Sequence, residues 1–373
     1  MNKILHISSS YFGSKVYKKL IEKLCENGFE NSVYVPIRNK LQEGKNQVAE
    51  NLNVKYIYSF ILRPYMKLFY FLKIRKVYND ICMNFNFENI DFIHTHFLFT
   101  DGGVAYLLKQ KFNINYITTI RNADINLYFK YFRLARNFGY KIIQNSEALV
   151  FISPSYKENF LKNIVPKKYL NEFRSKSVVI PNGIDDFWHN NLGVRKTLNK
   201  SVINFLFIGE LTKNKNIHKT IEILKKFKKE QPCNLVIIGS EGDYKKKIFN
   251  LISENSDFVK FQSKIDKKEL LLEYYREADI FIMPSKTETF GLVYAEAMSQ
   301  GVPCIYSKGQ GIDGYFTAGH IGYPIDVNNV DDAICNINKI IDNYSEISKN
   351  CLIGSTLFNW ATIVKQFEKL YKK

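Results

Sequence analysis

Short apolar runs alternate with longer helix-period stretches along this chain, and the alternation breaks off and restarts once, which restricts the fold more than any other feature. KILHIS leads into an amphipathic stretch from Val16 to Cys25, followed by NSVYVPI, IDFIHTH, NYITTIR, ALVFIS and SVVIPN. Strand-length runs separated by helix-length segments predict a parallel sheet with crossover helices. The polar stretch from Asn190 to Lys200 interrupts the pattern, which resumes with VINFLFIG, a helix over Asn216 to Glu230, NLVIIGS, FVKFQS, DIFIMPS and VPCIYS. The restart predicts a second α/β domain of the same kind, so two doubly wound, Rossmann-like parallel-sheet domains are expected, residues 1–192 and 193–354, followed by a terminal helix over 355–373. Ligands of such sheets bind beyond the carboxyl ends of the strands, which places the expected working cleft between two facing domains.

No run approaches the roughly 18 apolar residues of a membrane-spanning helix. The opening ILHI is too short for the apolar region of a signal peptide, so a cytoplasmic location is expected, with the inner face of the cytoplasmic membrane as a second address. Cys25, Cys82, Cys233, Cys304, Cys335 and Cys351 are scattered without a CxxC spacing, which argues against a disulfide framework or a structural zinc site and predicts small buried thiols. The formal charge of +17 suits an anionic partner, whether nucleic acid, a membrane surface or a phosphorylated substrate. A merely lysine-rich surface accounts for much of it.

The stretch PSKTETFGLVYAEAMSQGVPCIYS, residues 284–307, carries the most chemistry. Glu288 and Glu296 have seven residues between them, a spacing that Glu222 with Glu230 and Glu269 with Glu277 repeat on ordinary helices, so context decides. A strand ends at Met283, a polar loop follows, and Gly291 opens a helix whose first N–H groups are free to meet an anion. An exposed loop glutamate and a helix-surface glutamate are the plain alternative.

This stretch resembles the retaining glycosyltransferases of family 4, whose GT-B fold pairs two facing Rossmann-like domains with a C-terminal helix that crosses back. The resemblance implies that Glu288 contacts the donor sugar's hydroxyls and Glu296 the ribose of a nucleotide sugar. FIGELTKNKNIHKTIEIL, residues 207–224, resembles the family's strand, loop and helix for the donor diphosphate, with Lys215 at the family's lysine. Glu210 follows Gly209 where the family has an arginine, so this carboxylate must point away, pair with a neighbour such as Lys213, or serve another contact. The resemblance adds Gly209, Glu210, Lys264, Ile265, Phe290, Gly291 and Leu292 to the donor-binding set, with Glu288 and Lys215 as the catalytic pair. PNGID at 181–185 resembles the family's interdomain turn, and Trp360, Ile363, Val364 and Phe367 form a packing stripe on the last helix.

In the first domain Gly13 and Ser14 stand where the family often has two glycines, and are expected to lie near donor or acceptor. TTIRNADIN puts Arg121 where many members have a histidine, with Asp124 close behind. Either Arg121 holds an acceptor phosphate or donor sugar, or it pairs structurally with Asp124. His94 and His96 share one side of a strand end and are expected to wall the cleft; without a third ligand no metal is expected there.

The segment Lys55 to Asp80 holds six basic residues against one acid and is crowded with aromatics. Treated as a helix from Tyr65, it turns Tyr65, Leu68, Phe69 and Leu72 to one face and Lys67, Tyr70, Phe71, Ile74 and Tyr78 to the other, which suits an anionic membrane as well as an oligomer contact. The expected function is transfer of a sugar, on a uridine diphosphate donor, to a lipid-linked or polysaccharide acceptor of a cell-surface glycan (capsule, lipopolysaccharide or exopolysaccharide). No cofactor and no metal are expected, because Lys215 and helix N–H groups would stabilise the leaving group. A sugar-nucleotide epimerase, a silent sugar-nucleotide binder and a nucleic-acid-binding protein are the alternatives; the last lacks a helix-turn-helix, zinc or single-strand signature, so no nucleic acid is expected.

Overall fold

Each of the eleven runs read as strands is a strand in the computed structural model, which describes residues 3–67, 69–198 and 201–372. The first sheet contains β1 (Lys3–Ile7), β2 (Glu30–Pro36), β3 (Lys55–Ser59), β4 (Phe92–Thr95), β5 (Asn115–Ile120), β6 (Ala148–Phe151) and β7 (Ser177–Val179). The second contains β8 (Ile203–Ile208), β9 (Cys233–Gly239), β10 (Val259–Ser263), β11 (Ile280–Met283), β12 (Cys304–Ser307) and β13 (Gly322–Ile325). The sequence pattern missed β3, which was absorbed into the greasy basic segment, and β13, whose Gly-Tyr-Pro-Ile is too short and glycine-led to stand out.

The strand orders are β3-β2-β1-β4-β5-β6-β7 and β10-β9-β8-β11-β12-β13, with every pairing parallel. Each sheet is thus doubly wound, and its order reverses once, at β1/β4 and at β8/β11. The loops that leave these strands are where such folds bind ligands.

The chain divides into one unit of residues 1–152, 157–182 and 360–373 and another of residues 153–156 and 183–359. The changeover at Asn182 and Gly183 precedes the polar 190–200 stretch, and residues 355–359 stay with the second unit; the last helix is Trp360–Tyr371. Its predicted stripe is real: Trp360, Ile363, Val364 and Phe367 pack in the first unit's core with Ile4, Leu20, Leu24, Phe92 and Ile117. Burying such a stripe holds the terminal helix by the apolar area it removes from water, about 25 cal/mol per Å².

The segment Lys55 to Asp80 differs from its expected form. Pro64–Lys67 is a single 3₁₀ turn, and the α-helix runs only from Tyr70 to Asn84. Tyr70, Ile74 and Val77 are buried whereas Tyr65, Phe69, Phe71 and Leu72 are exposed, so the outer surface takes residues from both expected faces; Leu68 lies outside the described residues.

Candidate active site

The loops leaving β8 and β11 are laced together before any donor is considered. Asn214 donates its amide to Thr287 O at 2.9 Å, and its Oδ1 accepts from the Thr287 N–H at 3.1 Å and the Thr287 hydroxyl at 2.6 Å. Asn216 follows in the left-handed conformation, φ 55°, and its side chain donates to Pro284 O at 2.8 Å. Asparagine tolerates this backbone better than most residues, so the turn delivers Lys215 to one place. There Lys215 Nζ donates to Glu288 Oε2 at 2.6 Å. Gln310 Oε1 accepts from the Glu288 N–H at 3.0 Å, and Gly311 N–H donates to Glu288 O at 2.7 Å, so the glutamate's backbone is fixed from both sides.

Gly291 has φ 78°, and a Cβ there would lie 2.6 Å from the Tyr294 ring. The Tyr294 hydroxyl is in turn hydrogen-bonded to Met283 O. Glycine is therefore the residue that lets the chain turn into the helix Leu292–Ser299, which starts with no side-chain cap and no acid in its first turn. Four residues into that helix, the half-buried Glu296 accepts from the Tyr275 hydroxyl at 2.9 Å, and burial pushes its carboxyl up to about 7.

Other expected donor contacts are placed differently. Phe290 is buried against Phe358 and Tyr315, so its ring is core and not contact surface. Gly209 follows β8, and Glu210 beyond it is exposed. Lys264 is exposed and paired with Asp266, next to half-buried Ile265, in the loop after β10.

In the first unit, Ser14 caps the helix Lys15–Glu26 by accepting from Val16 N at 3.3 Å, and Gly13 before it is exposed, with nothing within 4 Å of a Cβ added there. Asp124 is fully buried and receives the backbone N–H groups of Leu98, Phe99 and Arg121 at 3.2, 3.1 and 2.9 Å. Burial raises its carboxyl to about 6 in spite of these donors. The aspartate is thus a loop anchor on which the Arg121 charge also acts, and Arg121 Nε is buried without a hydrogen-bond partner among the described residues.

His94 and His96 border a small hollow that Tyr17 and Arg121 also line. Both histidines are buried, and His6 of β1, in register with His94, completes a cluster of three whose ligating atoms lie within 4.8 Å of one another. The third imidazole thought to be missing is present, and a sequence reading that stays within one strand cannot see it. His6 Nδ1 lies 3.2 Å from His96 Nε2, and His94 lies 2.7 Å from the Tyr371 hydroxyl and 3.2 Å from Thr119 Oγ1. Desolvation pulls all three below the usual range, His6 to about 4. Also unread was Lys73, buried on the helix Tyr70–Asn84 and brought down to about 8 by desolvation, with Asp101 near it raised to about 7 by the same cause.

The family profile of Glycosyl transferases group 1 matches residues 193–352, and that of Glycosyltransferase Family 4 matches residues 13–186. The chain is a family 4, group 1 glycosyltransferase of GT-B fold. This transferase is 26% identical to an uncharacterised glycosyltransferase of Methanocaldococcus jannaschii, with 83% of each chain covered. It is also 26% identical to N-acetyl-alpha-D-glucosaminyl L-malate synthase of Bacillus anthracis and to alpha-monoglucosyldiacylglycerol synthase of Acholeplasma laidlawii, over 76% of this chain and 75% of each relative. Among solved structures, sucrose-phosphate synthase of Thermosynechococcus elongatus superposes with a TM-score of 0.75 at 20% identity, covering 100% of this chain and 98% of that one. Anabaena HepE in complex with UDP gives 0.70 at 17% identity, with 99% of each covered; both likenesses speak for the fold.

Among the transferase's described residues no helix is long and apolar enough to cross a membrane. All six cysteines are free, but only Cys233, Cys304 and Cys351 are buried; Cys335 is exposed and Cys25 and Cys82 are intermediate, so burial of all six was an overstatement.

Proposed function

We propose that this transferase is a retaining hexosyltransferase using a uridine diphosphate sugar, with a lipid-linked or polysaccharide acceptor in cell-surface glycan assembly (capsule, lipopolysaccharide or exopolysaccharide). The observation that carries the donor reading is the meeting of Lys215 and Glu288 beside the uncapped helix that Gly291 opens. The three features have separate jobs. Glu288 accepts hydrogen bonds from sugar hydroxyls, Glu296 from the ribose, and Lys215 with the first helical N–H groups neutralises the diphosphate as it leaves. Attack on the face the diphosphate vacates retains configuration, with the departing phosphate oxygen taking the acceptor's proton. In this reading no cofactor and no metal is required, because the charge is met by protein groups. HepE, bound to UDP, supports uridine as the base.

The lipid-linked acceptor and a place on an anionic membrane have support of their own. Phe69, Phe71, Leu72, Tyr131 and Leu134 are exposed around a groove of about 520 Å³, so the surface draws on a second segment that the sequence reading did not include. Residues 60–79 and 125–146 together carry nine Lys or Arg and no Asp or Glu. Aromatic rings with cations and no competing acid are the composition an anionic lipid surface favours. The similarity to alpha-monoglucosyldiacylglycerol synthase agrees with this.

The test is thermal stability of the purified protein with uridine, guanosine and adenosine diphosphates and their sugar conjugates, repeated with Lys215→Ala and Glu288→Ala. A ligand that binds only the folded state raises the melting point in proportion to RT ln(1 + [L]/Kd). A uridine-selective rise that both substitutions weaken is expected. No rise with any nucleotide, or a rise indifferent to both, defeats the donor reading.

A further inference from the structure

We propose that Arg121 receives an oxyanion of the acceptor, so that the molecule taking the sugar is an alcohol bearing a carboxylate or a phosphate. Assigning this ligand to the acceptor rests on the transferase reading above; the anion site itself rests on the geometry of the first unit alone.

Arg121 directly follows β5, one strand beyond the β1/β4 point where the strand order reverses. Two buried carboxylates lie nearby. Asp124 is taken up by three backbone N–H groups, and Asp101 accepts from the Ser9 N–H and the Thr100 hydroxyl through Oδ1, while its Oδ2 is buried without a hydrogen-bond partner among the described residues. The guanidinium carbon stands 5.4 Å from the centre of the Tyr17 ring, a contact that orients the group without using its N–H donors. Nε is buried and has no hydrogen-bond partner among the described residues. A buried charged donor without a partner is rare in folded proteins, and a ligand that supplies the missing acceptor explains it. The planar fork of arginine matches two oxygens of a carboxylate or phosphate.

A chain of hydrogen bonds supplies the second contact. The Asn31 amide nitrogen donates to Phe29 O at 3.0 Å, so Asn31 Oδ1 is the acceptor facing His6 Nε2 at 3.0 Å. His6 therefore carries its proton on Nε2 and offers a lone pair at Nδ1, which must accept from His96 Nε2–H. A neutral His96 with its proton on Nε2 has its lone pair on Nδ1, and no hydrogen bond occupies that nitrogen among the described residues. Tyr17, His96, Arg121 and Asn182 line one hollow of about 10 Å³, the scale of a single oxygen-sized group. A single hydroxyl oxygen of the ligand seated there accepts from Arg121 Nε–H and donates to His96 Nδ1, while the oxyanion meets the outer nitrogens of the half-buried guanidinium.

The probes are sn-glycerol 3-phosphate and L-malate, with glycerol as the uncharged control and sodium chloride at matched ionic strength. Melting points are followed for the full chain and for Arg121→Gln and Arg121→Lys, with UDP added separately to each. We expect both acids to raise the wild-type melting point more than salt does, Arg121→Gln to weaken their apparent affinity at least tenfold, Arg121→Lys to weaken it less, and the UDP response to survive in both variants. Sedimentation with phosphatidylglycerol vesicles, against phosphatidylcholine, separates the two sources of the oxyanion: loss of vesicle binding in Arg121→Gln marks a lipid headgroup, and a response to the soluble acids alone marks a free acid. The proposal is overturned if neither the acids nor the vesicles respond to Arg121→Gln. Should Arg121→Gln fail to fold, an affinity in Arg121→Lys equal to wild type for all of them overturns it instead. A wild type that answers to the acids but not to UDP defeats the donor reading and leaves the anion site standing.

Discussion

Lys215 Nζ and Glu288 Oε2 lie 2.6 Å apart, although 73 residues separate them in the chain. Their side chains are 20% and 14% exposed, so the pair is only partly screened by water. Removing one partner of such a pair leaves the other charge uncompensated, so either loss also disturbs the survivor. Lys215→Ala is expected to lower kcat by about 10²- to 10³-fold, the scale of one removed stabiliser of developing charge. The Lys215→Ala/Glu288→Ala double variant should lose little more than the worse single one, because the residues act as a unit. Steady-state kinetics on the four proteins checks this, and fully additive losses would mean that they work independently.

Glu296 ties donor binding to pH. Its folded-state carboxyl is raised from 4.5 to about 7 by burial, so its protonated form is the one the empty site favours. The stabilisation from this proton is complete below 4.5 and is lost as pH rises through 7. Ribose hydroxyls donating to the carboxylate favour ionisation, so binding at pH 6.5 should release a proton. Calorimetry of UDP binding in buffers of different ionisation enthalpy measures that release. Glu296→Gln should abolish it, and a release unchanged in the variant would assign it to another group.

Local patterns were legible in the sequence, and long-range meetings were not. Runs such as NLVIIGS and DIFIMPS announce buried strands because both faces are covered, and the terminal helix shows its stripe at Trp360, Ile363, Val364 and Phe367. Glu288, Lys215 and Gly291 were singled out by resemblance over short stretches, and the ion pair joining the first two required the folded loops. His6 was missed because only the pairing of β1 with β4 brings it to His94 and His96. Asp124 misled because a polar residue after a strand reads as a site, whereas three backbone N–H groups consume it. The two expected faces of the 65–78 segment came out mixed because one helix was drawn from Tyr65, whereas Tyr65 belongs to a separate turn and the α-helix starts at Tyr70.

Asp124→Ala should act on stability and not on donor recognition. It strands the N–H groups of Leu98, Phe99 and Arg121, at about 1–3 kcal/mol for each buried donor left unpaired. A large fall in melting temperature is expected, with the UDP-induced rise in the folded fraction preserved. A variant that melts like the wild type yet fails to transfer sugar would instead return Asp124 to the chemistry.

The greasy surface is open to a direct test. Leu134 is 90% exposed and Phe71 53%, so replacing both with serine costs little packing. Phe71→Ser/Leu134→Ser should reduce sedimentation with phosphatidylglycerol vesicles several-fold while leaving the melting point within about 1 °C, as surface substitutions usually do. Unchanged vesicle binding abandons the membrane contact.

Gly291 separates backbone strain from steric conflict. Gly291→Ala must hold φ 78° and also force Cβ to 2.6 Å from the ring of Tyr294, which its bond to Met283 O keeps from swinging aside. Gly309 has a nearly equal φ of 74° but nothing within 4 Å of an added Cβ, so Gly309→Ala carries the strain alone. Strain of this kind costs about 1–3 kcal/mol, and Gly291→Ala should fall below Gly309→Ala by the additional clash. The helix Leu292–Ser299 starts at Gly291, so relief of the clash moves the N–H groups proposed to face the diphosphate. Gly291→Ala should therefore lose most of the UDP-induced rise in melting temperature while Gly309→Ala keeps it. Equal melting points and equal UDP responses in the two variants would show that strain alone governs both positions and that the Tyr294 contact does not set the helix start.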